Sequence, residues 1–140
     1  MEDAVEIRAG GELKVVHKPW GSETWLAYGE GMPYALKVIF LKKGTKTSLQ
    51  YHVRKKETNF VYSGRIILHY QKTKGAEVVA EELGPKTCIQ VPPGLVHRVE
   101  ALEDTVLVEA STNHLDDVVR ISDDYSRPDG RIPGEHGEKK

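Results

Sequence analysis

One cysteine in 140 residues rules out an internal disulfide, which fits a reducing compartment. Cys88 is expected as a small buried strand residue rather than a nucleophile, because a free cysteine behaves as a small hydrophobe. Neither charge sign is in excess: 20 Lys and Arg stand against 21 Asp and Glu. That balance argues against nucleic acid or an anionic membrane as the main partner. No apolar run reaches membrane-spanning length. Met1 to Glu6 lacks a basic stretch followed by an apolar one, so no signal peptide is expected. The expected location is the cytoplasm. Helical periodicity is scarce as well, with no amphipathic helix of ordinary length before residue 115.

What remains is strand. The length suits one domain with its own core. Residues 1–14 are polar and glycine-containing and read as an arm, in which Val5 and Ile7 could add a short edge strand. Pro19 confines Val15–Lys18 to an edge position, and Trp20 is large enough to anchor a loop. Ser22–Ala27 has strand composition. Tyr34–Leu41 gives the strongest local signal, with Leu36, Val38 and Phe40 alternating against Lys37, Ile39 and Leu41. Further strands are expected over 65–70, 87–91, 96–101 and 105–110. Residues 76–83 suit either a strand or a short helix, and Asp116-Asp117 a short helix or turn. Seven or more short strands, with turns every eight to twelve residues, mark an all-β sandwich or barrel. The domain is bounded at residues 15–127, and residues 128–140 form a polar Gly/Pro-rich tail.

The stretch Gly44–Gly64 holds a polar triplet, Gln50, His52 and Glu57, inside strand-like sequence. Gln50 and His52 are two apart and share a strand face. Downstream, Pro92-Pro93-Gly94-Leu95-Val96-His97 adds a second histidine. Oxygen and nitrogen donors converging from separate strands are what a first-row metal ion needs.

These two stretches resemble the paired motifs of the cupin superfamily. Gly44, Gln50, His52, Glu57 and Gly64 fall on the first motif, and Pro92, Gly94 and His97 on the second. Gln50 stands where a histidine is commoner, and Ala101 where many members have asparagine. The resemblance implies an all-β double-stranded β-helix, the jelly-roll barrel, with four ligands brought to one metal. Gln50 narrows it. Lys18-Pro19-Trp20-Gly21, Ser48–His52, Ser63-Gly64, Val91–Arg98, Asp117–Arg120, Asp123 and Tyr125–Arg127 resemble the C-terminal domain of type II phosphomannose isomerase/mannose-1-phosphate guanylyltransferase. Related stand-alone sugar-phosphate cupins are similar too. The nucleotidyltransferase domain of the bifunctional enzymes has no counterpart in the chain. By this resemblance Gln50, His52, Glu57 and His97 would bind one divalent ion, zinc first, with manganese, iron or nickel as alternatives.

The implied function is metal-dependent aldose–ketose isomerisation of a sugar phosphate, like that of mannose-6-phosphate isomerase. A non-catalytic sugar- or metal-binding role and an iron- or manganese-dependent oxygenase or epimerase are the alternatives. Such an isomerase needs a base to move a proton between C1 and C2. Lys55 shares the parity of Glu57, and Glu109 lies opposite Val106, Val108 and Ala110 on its strand; both are candidate catalytic groups. Arg98, Arg120 and Lys37 are candidates to grip the phosphate of a sugar phosphate. His69 reads as structural, and His114 as a weaker candidate at the barrel mouth. Pairing through sheet edges, with help from the N-terminal arm, predicts a homodimer.

Overall fold

The computed structural model describes residues 4–124. The expected tail at 128–140 lies outside them, as do Tyr125, Ser126 and Arg127. Within that span eleven strands and one 3-10 turn, Gly10–Glu12, follow each other: β1 Lys14–Lys18, β2 Gly21–Ala27, β3 Ala35–Leu41, β4 Leu49–Tyr51, β5 Glu57–Ser63, β6 Ile66–Gln71, β7 Val78–Leu83, β8 Cys88–Val91, β9 His97–Ala101, β10 Thr105–Ser111 and β11 Val119–Ser122. They form a six-stranded sheet, β1-β2-β3-β10-β5-β8, and a five-stranded sheet, β11-β4-β9-β6-β7. Every pairing is antiparallel. The two sheets close over a shared interior as the all-β jelly roll. No helix among the described residues is long and apolar enough to cross a membrane.

Strand parity decides what enters that interior. On β3 the inward residues are Ala35, Lys37, Ile39 and Leu41, and on β10 they are Thr105, Leu107, Glu109 and Ser111. Leu41, Val61, Ile66 and Leu107 meet Trp20, Ile39 and Ala101 in one apolar cluster drawn from both sheets. Burial of each large aliphatic side chain there contributes roughly 1.5–3 kcal/mol. Trp20 does anchor its loop, with its ring in this cluster.

Some local expectations change. Residues 78–83 are strand, because β7 pairs with β6 from Ile66↔Leu83 to Gln71↔Val78. Of the helix or turn expected at Asp116-Asp117, the structure has the turn, and it leads into the short strand β11. Val5 and Ile7 form no edge strand; both are exposed, and Gly10 and Gly11 separate them from β1. Cys88 is exposed rather than buried. It opens the edge strand β8, and its inward neighbours in alternation are Ile89 and the buried Val91. Gly64 meets a strict requirement at the β5–β6 turn. Its φ is +94°, and a Cβ there would lie 2.5 Å from the Asp104 carbonyl oxygen, so only glycine fits without strain.

Candidate metal centre

The two motif stretches meet across the sheets. β4 carries Gln50 and pairs with β9 through the single register match Gln50↔His97. Glu57 opens β5, which belongs to the other sheet. The connection 52–56 therefore crosses from one sheet to the other and brings His52 and Glu57 together. The second motif's turn is tied to it, since the Gly94 amide donates to the His52 carbonyl at 2.7 Å.

His52, Glu57 and His97 are all buried, and their donor atoms lie within 4.8 Å of one another. His52 Nε2 is 3.4 Å from one Glu57 oxygen, and His97 Nε2 is 3.4 Å from the other. Two donors bound at ~2.0–2.1 Å to one tetrahedral ion sit ~3.4 Å apart. The ring edges are set for this. His52 Nδ1 donates to the Asp117 carbonyl at 2.5 Å and His97 Nδ1 to the Leu95 carbonyl at 3.0 Å. Backbone acceptors on both Nδ1 atoms leave both Nε2 lone pairs facing Glu57, as metal-ligating histidines require. His52 Nε2 is fully buried with no hydrogen-bond partner. A buried polar atom without a partner is costly, and an ion between the three side chains would satisfy it. The donor set fits a divalent ion.

Gln50 is half-buried and lines the same cavity, with its Oε1 accepting from the Ser48 hydroxyl. An amide oxygen has two acceptor positions, so one remains for a ligand. Arg120 lies opposite Gln50 on β11 and also lines the cavity.

Lys55 and Glu109 come together inside it. Lys55 Nζ is 3.0 Å from Glu109 Oε2 and 3.1 Å from Glu57 Oε2, and all three side chains are buried. Burial alone would lower the Lys55 pKa, but Glu109 and then Glu57 more than offset this and raise it, so Lys55 is held as an ammonium. Burial would raise Glu57; Lys55 and the two imidazoles outweigh it and hold the carboxyl well below its usual range. For His97 burial works downward, and Glu57 lifts it overall. Lys37 is buried too, 3.5 Å from Glu23 and 4.4 Å from the centre of the Trp25 ring. Burial pushes Glu23 up, yet Lys37, Lys18 and the Trp25 indole bring it down to about 2.

Of the proposed phosphate-gripping residues, Arg98 is not brought to the cavity. It follows the inward His97 on β9 and so points outward. There it donates to the Thr47 carbonyl at 2.9 Å and to Asp124 at 3.1 Å. His69 is half-buried on the outward face of β6 and hydrogen-bonds Glu100 at 3.0 Å. His114 contacts Thr112 at 2.8 Å and is not among the residues lining the site.

Two contributors escape a reading of the sequence. Asn59 Nδ2 donates to Glu57 Oε1 at 3.1 Å and orients the carboxylate; parity with Glu57 on β5 was the available signal. Asp117 is the other. Besides taking the His52 proton on its carbonyl, its carboxylate accepts the amides of Val53, Arg54 and Lys55 at 2.9, 2.6 and 2.8 Å. Burial pushes the Asp117 carboxyl up, and the three amides together outweigh it and bring it below its ordinary value. One residue thus clamps the whole connection between His52 and Glu57.

Known proteins share this fold. XanB, a xanthan biosynthesis protein of Xanthomonas campestris pv. campestris, is 31% identical over 117 residues, covering 80% of the chain. The chain spans only 23% of that relative's length. Among solved structures, an RmlC-like cupin from Shewanella frigidimarina superposes with a TM-score of 0.63 at 15% identity, covering 81% of the chain and 95% of its own. Oxalate decarboxylase from Bacillus subtilis gives 0.70 at 16% identity, over 86% of the chain and 33% of its own. At such identities the likeness is one of fold. The family model described as mannose-6-phosphate isomerase C-terminal matches residues 8–123, and the chain belongs to that family of cupin domains.

Proposed function

We propose that the chain is a metal-dependent sugar-phosphate isomerase that interconverts an aldose and a ketose phosphate. The observation that carries this reading is the juxtaposition of the His52–Glu57–His97 donors with the buried Lys55–Glu109 pair in one cavity. His52, Glu57 and His97 would hold the ion, with Gln50 Oε1 as a fourth ligand steadied by Ser48. When bound, a divalent ion supplies Lewis acidity that polarises the sugar carbonyl and stabilises charge developing on its oxygen.

The chain's own groups would do the rest. Glu109 takes the proton from C2 and returns it to C1, while a proton passes from the C2 oxygen to the C1 oxygen. Lys55 has three N–H donors. Two serve Glu57 and Glu109, and the third is left for a substrate oxygen. Lys37 and Arg120 face the cavity as the phosphate grip.

Charge supports a dianionic substrate. Lys18, Lys37, Lys55 and Arg120 line the cavity against Glu23, Glu57, Glu109 and Asp117. These four cations and four carboxylates cancel. A divalent ion then leaves two positive charges, which match a phosphate monoester near neutral pH.

Metal-loaded protein should interconvert mannose 6-phosphate and fructose 6-phosphate, with loss of turnover on chelation and in His52→Ala. No turnover across a panel of hexose and pentose phosphates, with the ion bound, would overturn the reading. One observation favours sugar binding without turnover: Glu109 is already ion-paired to Lys55. Tight sugar-phosphate binding without exchange of the C2 proton for solvent deuterium would select that alternative.

A further inference from the structure

Glu23 and Lys37 stand apart from the cluster around the ion, and much of their hydrogen-bonding capacity is unused. Glu23 on β2 and Lys37 on β3 both line the cavity, with side chains only 12% and 6% exposed. The Trp25 indole N–H donates to Glu23 Oε1 at 2.8 Å, and Lys37 Nζ lies 3.5 Å from the same oxygen. No described residue donates a hydrogen bond to Glu23 Oε2, and Lys37 Nζ donates none to a described residue. Neither Oε2 nor Nζ is among the fully buried atoms left without a partner, so both reach the open space of the cavity. Trp25 is buried and off the cavity wall. Its N–H and its ring, 4.4 Å from Nζ, hold the pair from behind. A carboxylate oxygen and an ammonium with open positions, side by side in a nearly closed cavity, are costly unless a ligand fills them.

From this we infer that Glu23 Oε2 and Lys37 Nζ together bind one hydroxyl of the sugar, and that Glu23 determines which epimer the cavity accepts. The inference rests on the reading of the cavity as a sugar-phosphate site. A hydroxyl donates and accepts at once, so it satisfies both atoms. A phosphate dianion has no proton for Oε2 and is repelled by it; it takes the remaining donors of Lys37. Position narrows the choice of hydroxyl. Lys37 is paired in register with Glu109 across β3 and β10, and Glu23 lies one strand further out on β2. Neighbouring strands are about 4.8 Å apart. A carbon chain with C1 and C2 at the ion and Glu109 therefore meets the pair with a hydroxyl beyond C2, at C3, C4 or C5. The epimer inverted there leaves the carboxylate oxygen unpaired, and a site built around such a hydrogen bond discriminates strongly.

Calorimetric titration of the full, zinc-loaded chain reads this without turnover. The probes are fructose 6-phosphate, its C3, C4 and C5 epimers, the matching deoxy analogues and inorganic phosphate. Wild type should favour one configuration at one of these carbons by about tenfold or more. Glu23→Gln should bind the favoured epimer about 10- to 100-fold more weakly, lose the preference, and bind inorganic phosphate no more weakly than wild type. A merely structural role for Glu23 would weaken both ligands alike. The deoxy analogue lacking the contacted hydroxyl makes the same cut without changing the protein. Wild type should lose a similar factor against it, and Glu23→Gln should bind it as it binds the parent sugar phosphate. The same split in a chain that turns nothing over would support hydroxyl recognition and reject the isomerase reading. Equal wild-type affinity for every epimer and deoxy analogue would overturn the inference. So would a folded Glu23→Gln chain that keeps the preference, or parallel losses for fructose 6-phosphate and inorganic phosphate.

Discussion

The two ends of the barrel interior are built from the same strands and differ completely in chemistry. Along β3 the inward residues run from Lys37 through Ile39 to Leu41. Along β5 they run from Glu57 and Asn59 to Val61, and along β9 from His97 through Val99 to Ala101. At one end the side chains are apolar and pack into the Trp20–Leu41–Ile66 cluster, part of which also walls the cavity. At the other end they are ionisable, buried and satisfied mainly by one another. The apolar end anchors the strands, and so fixes where the polar end's donors point. Burying that many charges is unfavourable on its own, and clusters of this kind concentrate at functional sites.

Substitutions at the two ends should separate two properties, metal retention and stability. The largest effect belongs to His52→Ala, which removes one of three clustered donors. It should weaken ion binding by more than about 100-fold, read by calorimetric titration, with little loss of fold. Lys55→Met should come next. It strands Glu57 and Glu109 side by side in the interior and should cost about 3–5 kcal/mol in denaturant unfolding. At the opposite end, Leu41→Ala should cost about 2–5 kcal/mol and leave the ion stoichiometry unchanged. If Leu41→Ala emptied the site while His52→Ala left it filled, the division between the ends would fail.

Asp117→Ala sharpens the boundary. It keeps the backbone carbonyl that accepts from His52 but frees the three amides of residues 53–55. Ion affinity should fall about 10- to 100-fold, with a smaller change in stability than for Lys55→Met. The smallest effect is a pH dependence at Glu23. Its carboxyl is held at about 2, below the ordinary 4.5. A depressed folded-state value stabilises the protein above 4.5, and the contribution is lost as pH falls toward 2. Glu23→Gln should flatten the acid side of the stability curve in that window.

Much of this was legible in the sequence, for physical reasons. Spacing two apart on a strand, the Gly44–Gly64 stretch and the Pro92–His97 turn located the three clustered donors. Parity alone could not say which face of β3 or β10 turns inward, because a one-residue slip exchanges the faces. Lys37 and Glu109 were therefore visible as candidates without a settled environment. Parity could have removed Arg98, since it adjoins the inward His97. Asp117 was visible only as part of the matching Asp117–Arg120 stretch, without its role. It acts through its backbone carbonyl and through backbone amides, on a residue 65 positions away, and neither leaves a compositional trace. Cys88 was misplaced because free cysteines are usually buried, whereas this one opens an edge strand.

The most direct test is elemental analysis of purified wild-type chain beside His52→Ala and His97→Ala. One divalent ion per wild-type chain, lost in both folded variants, is the predicted result. A wild-type chain that binds no zinc, manganese, iron or nickel at micromolar concentration would contradict the account.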